Sequence, residues 1–364
     1  MSSPTSYPHR HQLLTELLRL HPCPFEYENT YHFLLVPSLS QLSRSAALDA
    51  ILLQSWSGNI DHVDPDVIHN IKSLRFDASD FEVIGRLGDG QFGVVDAVRC
   101  RINGQIYASK TMKKRAVSRA GPQLSLSIER HMHIIGHSSQ GPVPRLIAAF
   151  QSDQTISLIT TYAECGSLWD RLCCLSTDGT VAGQMTETEL SHWSPQMILA
   201  IQWVHDQGFA HRDIKPHNFL IASDRRLLLT DFGSAASLLP KVSTGQRQYV
   251  PYDQCLLPAG TPDYIAPEIL AYAENAFSDH ISIDHVSHGV SPHGYDSSVD
   301  WWSLGASLFE MATGKGPFWA PTIQQTYNLI TQFRGELQLP PFLGPEISDV
   351  LTKYVRGHLG DTDM

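Results

Sequence analysis

Residues 211–233 read HRDIKPHNFLIASDRRLLLTDFG, and this stretch constrains the chain more than any other. Asp213 stands on a turn behind Arg212, with Lys215 two residues on and Asn218 five residues on. A short apolar run, Leu227 to Leu229, reads as a strand that delivers Asp231 into a second turn, Asp231-Phe232-Gly233. Two carboxylates and an amide on neighbouring turns suit a divalent metal held against phosphate. Mg²⁺ is a hard cation that takes one or two carboxylates and leaves its other positions to water and substrate phosphates.

A second phosphate signal lies upstream. Gly88, Gly90 and Gly93 fall in the arrangement GxGxxG, which dinucleotide-binding folds also carry. In those folds the glycines open a helix. Here Val94-Val95-Asp96-Ala97-Val98 follows, β-branched and alternating, so the glycines join two strands. The expected result is a flap whose backbone N–H groups can approach a phosphate because no Cβ intervenes. Asn103-Gly104 is a hairpin turn signal leading into a strand, Gln105–Met112, that carries Lys110. A helical stretch, Leu124–Ile135, places Glu129 nineteen residues after that lysine.

Composition removes other classes. The net charge of −11 argues against a partner held by phosphate neutralisation, so nucleic acid is not expected. The 6 cysteines form no CxxC pair, so neither a zinc site nor a disulfide framework is expected and a reduced, cytoplasmic location is. No apolar run approaches the length of a membrane span, and the N-terminus lacks the apolar core of a signal peptide.

Taken together, the block at 211–233, the glycine flap and the Lys110/Glu129 spacing resemble the protein-kinase signature set. That resemblance implies an α+β, two-lobed fold: a small antiparallel β lobe with one key helix (79–161), then a larger, mostly helical lobe (162–364). It implies ATP and Mg²⁺ as cofactors and protein substrates with Ser/Thr acceptors. Asp213 is then the base that receives the hydroxyl proton, and Lys215 steadies the γ-phosphoryl group. Lys110, oriented by Glu129, positions the α- and β-phosphates, while Asn218 and Asp231 hold metal. The nucleotide site draws on Leu87, Gly88, Asp89, Gly90, Gln91, Phe92, Gly93, Val94 and Val95 of the flap, on Ala108 beside Lys110, and on Thr161 and Ala163 of the hinge. Thr261 should brace Asp213 and Lys215, and Asp300 should receive backbone N–H groups of the catalytic turn.

Within the family, GTPDYIAPE and VDWWSLG resemble the AGC group of serine/threonine kinases, and DFGSAASL resembles its Rho-associated and myotonic-dystrophy-related branch. That implies a setting in cytoskeletal or morphogenetic signalling. The rival reading is a kinase-fold scaffold that binds nucleotide or partner proteins without catalysis. Several features depart from the pattern. His133 replaces an apolar helix residue, His217 replaces an acidic one, and Leu257 stands where many relatives carry a phosphorylatable threonine. An apolar run, Leu256-Leu257-Pro258, is expected to order the activation segment by packing instead. The family's last helices and tail have no counterpart, so the second lobe is expected to be incomplete at its C-terminus.

Elsewhere, Thr186-Glu187-Thr188-Glu189 is a capping box opening a long helix, in which Pro195 is expected to make a kink. Residues 271–296, rich in histidine, read as a solvated insertion rather than a metal site. Residues 1–78 form an N-terminal extension with two amphipathic helices, one near Leu13–Leu20 and one at Ser45–Trp56. They either pack on the domain that follows or join two copies of the chain as a homodimer.

Overall fold

The computed structural model describes residues 76, 78–90, 93–101, 103–120, 125–174, 183–240, 247–281, 293–335, 339, 343–345 and 348–349. The N-terminal helices, the dimer surface expected on them, and the flap residues Gln91 and Phe92 lie outside that set. By contact density the chain divides into two units.

The first unit holds the described residues up to Arg119 together with 133–140 and 145–162. Its centre is a five-stranded antiparallel sheet in the order β1-β2-β3-β5-β4. The strands are β1 (Phe81–Gly90), β2 (Gly93–Cys100), β3 (Ile106–Lys113), β4 (Leu146–Gln151) and β5 (Thr155–Thr161). The glycine motif joins two strands, as the flanking residues predict. Strand alternation sorts the faces. Val98, Cys100, Tyr107, Ala148 and Ile159 are buried in one cluster, and the rings of Phe76, Phe81 and Phe150 pack onto it. The opposite face carries Val95 across from Lys110, and Ala108 across from Ala97 and Thr160. Gly93 serves the sheet itself, because a Cβ there would lie 2.3 Å from the Thr111 carbonyl oxygen.

A short helix, α1 (Lys114–Ala120), follows β3, and α2 runs from Leu126 to Ser138, starting two residues later than the sequence pattern suggests. The first part of α2, through Met132, belongs to the second unit with residues 141–144 and those from Ala163 onward. In that unit are α3 (Leu168–Cys173) and α4 (Glu187–Asp206). Short strands follow: β6 (Phe209–Ala210), β7 (Phe219–Ile221), β8 (Leu227–Leu229), β9 (Ala236–Ser237) and β10 (Tyr249–Pro251). Next come α5 (Pro267–Ile281), β11 (His293–Asp296), α6 (Val299–Thr313) and α7 (Ile323–Gln332).

The Thr186 hydroxyl accepts the Glu189 N–H, and the Glu189 carboxylate reaches back to the Thr186 N–H, so the capping box forms as read. α4 continues through Pro195 as a single helix. Its buried stripe of Leu190, Trp193, Met197, Ile201 and Val204 packs beside α6, in which Trp302 stacks on Phe318 at 5.3 Å. The 271–296 stretch departs from the loop reading. Its first residues extend α5 to Ile281, with Ala273 buried, and its last four form β11, antiparallel to β10. Too few alternating apolar residues mark those four for a strand to be seen without its partner.

Candidate functional site

The site in the second unit is built from one buried carboxylate outward. Asp300, the second residue of α6, has 0% of its surface exposed. Its oxygens accept the backbone N–H of His211 at 2.8 Å and of Arg212 at 2.7 Å, and Nε2 of His205 donates to it at 2.8 Å. Burial alone would push this carboxyl up. The His205 hydrogen bond and charge, with the His211 N–H, hold it below the ordinary carboxylate range. The ionised group then fixes a turn in which Arg212 adopts φ +64°, a left-handed conformation that disfavours an L-side chain by about 1–2 kcal/mol. His211 completes the turn from within. Its Nδ1 accepts the Asp213 N–H at 3.2 Å, and Nε2 donates to the Thr230 carbonyl at 3.0 Å.

Asp213 emerges from this turn 8% exposed. Its Oδ1 accepts the Thr261 N–H at 2.9 Å and the Thr261 hydroxyl at 2.7 Å. Its Oδ2 accepts from Lys215 Nζ at 2.8 Å, and the same ammonium reaches Thr261 Oγ1 at 2.7 Å. Thr261 therefore braces both residues, as expected. Thr261 comes this near because Gly260 precedes it: at φ +105° a Cβ on Gly260 would lie 2.3 Å from the Arg212 carbonyl oxygen.

Asn218 donates through Nδ2 to the Asp213 carbonyl at 2.7 Å, which turns its Oδ1 the other way. No hydrogen bond among the described residues uses that oxygen. The β7–β8 ladder pairs Phe219 with Leu229, and the Thr230 N–H donates to the Asn218 carbonyl at 2.9 Å. Asp231 follows immediately, at φ +65°. Among the described residues no group of three or more His, Cys, Asp or Glu side chains gathers as a metal site. One carboxylate and one amide oxygen on adjoining turns is instead the sparse, hard donor set that suits Mg²⁺ carrying phosphates and water, so the residues present fit that ion.

In the first unit the sheet face opposite the aromatic cluster carries Lys110, Ala108 and Val95. Gly88, Asp89, Gly90 and Val94 lie at the closed end of the β1–β2 hairpin, where Arg86 links Asp89 and Asp96, each at 2.6 Å. Leu87 is exposed there. Thr161 ends β5 and accepts the Arg145 N–H through its hydroxyl at 3.1 Å. Glu129 is buried on α2 in the second unit, where Ala163 is buried as well, and His133 is buried in the first.

Three features escape a reading of spacing. His217 stacks on Trp169 of α3, ring centroids 4.2 Å apart and 16° from parallel. Burial first, and then the Lys215 charge, lower its pKa, so the ring that replaces an acidic residue is neutral near pH 7. Leu257 is 43% exposed, which corrects the expectation that it orders the activation segment by packing. Cys255 and Val250 take interior positions in that stretch instead, each with 0% exposed. Tyr295, not singled out by any motif, sends its hydroxyl to Arg212.

Residues 81–340 match the protein kinase domain. The chain is 32% identical to human citron Rho-interacting kinase over 339 residues, 89% of this chain and 15% of that protein. It is 32% identical to mouse myotonin-protein kinase over 279 residues, 76% of this chain and 39% of that one. It is 30% identical to the cAMP-dependent protein kinase type 3 of Saccharomyces cerevisiae over 290 residues, 79% of this chain and 62% of that one. The chain thus spans less than two thirds of each of these relatives. No helix among the described residues is long and apolar enough to cross a membrane.

Proposed function

The chain belongs to the protein kinase family, among its AGC-related serine/threonine members, and from that premise we propose that it transfers the γ-phosphoryl group of Mg-ATP to serine and threonine hydroxyls of proteins. The observation that carries the reading is the Asp213 carboxylate. It is oriented on one oxygen by Thr261, and its other oxygen faces Lys215. In the proposed reaction the acceptor oxygen forms a bond to the γ-phosphorus. The bond from that phosphorus to the β–γ bridging oxygen breaks, and ADP leaves. The hydroxyl proton goes to Asp213.

Lys215, held between Asp213 and Thr261, offers its charge to the transferring group. Asn218 and Asp231 would hold the metal, which supplies charge neutralisation at the phosphates. Lys110 would take the α- and β-phosphates, on the sheet face it shares with Ala108 and Val95. The protein's share is positioning and electrostatics. We place the activity in cytoskeletal or morphogenetic signalling; in support, the name of one relative describes it as Rho-interacting.

The test is transfer of labelled γ-phosphate from ATP to a generic basic protein acceptor, with Mg²⁺ present or chelated, followed by phosphoamino-acid analysis. Label on serine or threonine, lost on chelation, is the expected result; Mg-ATP binding without any transfer would favour the scaffold reading. Thr261→Val then probes the brace. It keeps the backbone N–H to Asp213 but removes the hydroxyl that both donates to Asp213 and accepts from Lys215. A hydrogen bond to a charged group is worth about 1.5–3 kcal/mol, so kcat should fall roughly ten- to a hundredfold with little change in melting temperature.

A further inference from the structure

The guanidinium of Arg212 is 3% exposed as a residue and lies among neutral oxygens. Nε donates to the Ser234 carbonyl at 2.7 Å; Nη1 donates to the Gln254 carbonyl at 2.8 Å and to the Tyr295 hydroxyl at 3.0 Å. These acceptors come from three places in the chain: the turn just after Asp231, the middle of the activation segment, and β11. β10 and β11 pair antiparallel, Tyr249 with Asp296 and Pro251 with His293. Cys255 seals the joint, its sulfur so near Gly294 that a Cβ on the glycine would fall 2.2 Å from it. The segment is therefore zipped along 249–255 to the strand that carries Tyr295. Burial pushes the Tyr295 phenol up to about 12 against the pull of Arg212, so the hydroxyl stays neutral while it accepts.

Kinase activation segments are commonly ordered by a phosphate that draws an arginine into charge-assisted bonds. Here the arginine next to Asp213 already has its acceptors, and none carries a charge. We propose that Tyr295 is a positioning residue: with the Ser234 and Gln254 carbonyls it holds Arg212, fixing the catalytic turn and the activation segment without a phosphate group. The proposal rests on the phosphotransfer reading for its kinetic arm and on the geometry alone for its structural arm.

The experiment compares the full chain before and after phosphatase treatment, with and without Tyr295→Phe, which removes only the hydroxyl. The phosphatase-treated parent should keep its kcat within twofold. Tyr295→Phe should lower kcat about tenfold or more, the range a hydrogen bond to a charged group commands, while Mg-ATP affinity and melting temperature stay near the parent's. That split separates positioning from mere structural support, which would move melting temperature and nucleotide affinity together. Hydrogen exchange supplies the second readout: backbone amides of 249–255 should be protected in the unphosphorylated parent and exchange several-fold faster in Tyr295→Phe. Loss of activity on dephosphorylation with a phosphosite mapped between Ser243 and Tyr252, a parental kcat in Tyr295→Phe, or unprotected amides in the unphosphorylated parent would each overturn the proposal. A parent that transfers no phosphate in any state would sink the phosphotransfer reading alone, and the exchange data would still decide the clamp.

Discussion

Asp213→Asn is expected to lower kcat for phosphate transfer by roughly 10²–10⁴-fold, the contribution of a positioned general base, while leaving the affinity for Mg-ATP nearly intact. The amide fills the same space and can still accept from Thr261 or Lys215 on its oxygen. Its nitrogen cannot accept at all, so one of the contacts now made by the two carboxylate oxygens must be lost. More important, an amide cannot take the hydroxyl proton. A group that acts only as charge develops in the transition state changes kcat and kcat/KM together and leaves ground-state binding alone. Asp231→Asn makes the contrast, because a weakened metal ligand should damage Mg-ATP binding itself. Single-turnover rates and nucleotide affinities of the two variants separate the roles. Near-normal turnover in Asp213→Asn would show that the base lies elsewhere.

The site was legible where its chemistry lies in consecutive residues. Asp213, Lys215, Asn218 and Asp231 sit within a short stretch because one turn and one hairpin place them, and turn chemistry survives in spacing. The β1–β2 pairing was legible for the same reason, since the β-branched run after Gly93 decides strand against helix. Thr261 and Asp300 act across long sequence separations, and only resemblance to a known family pointed to them. Tyr295 and the Trp169–His217 stack left no signal, because a phenol accepting from a guanidinium and two stacked rings have no period and no fixed spacing. The activation segment misled for a related reason. An apolar run in a loop says that burial would be favourable, not that a surface is available to bury it, and Leu257 remains exposed while Cys255 takes the interior position. β11 was unreadable alone, since its order comes from β10 rather than from its own four residues.

Asp300→Asn is expected to cost roughly 3–5 kcal/mol of stability at neutral pH, the usual cost of breaking a buried hydrogen-bonded pair from one side. At about 2–4 °C per kcal/mol for a unit of this size, the melting temperature should fall by about 10 °C. The carboxylate meets three donors, the N–H groups of His211 and Arg212 and the His205 ring, with no surface exposed to water. An amide brings one acceptor and two donors of its own, so at least one of those N–H groups faces another N–H. The effect has a signed pH dependence. Because the folded carboxyl is held below its ordinary range, its stabilisation is fully present above the unfolded value near ~3.9, and it is lost as pH falls through the lower folded value. The gap between parent and variant should therefore be constant from neutral to mildly acidic pH and close only below that, which melting curves over a pH series can measure. Activity should fall further than the melting temperature alone explains. Without the Asp300 carboxylate the left-handed Arg212 at φ +64° loses the acceptor of its backbone N–H, and the turn that aims Asp213 can relax while the rest of the second unit stays folded. Equal melting temperatures at neutral pH would mean that His205 and the turn find other partners, and that the catalytic turn is held from Thr261 and Tyr295 rather than from beneath.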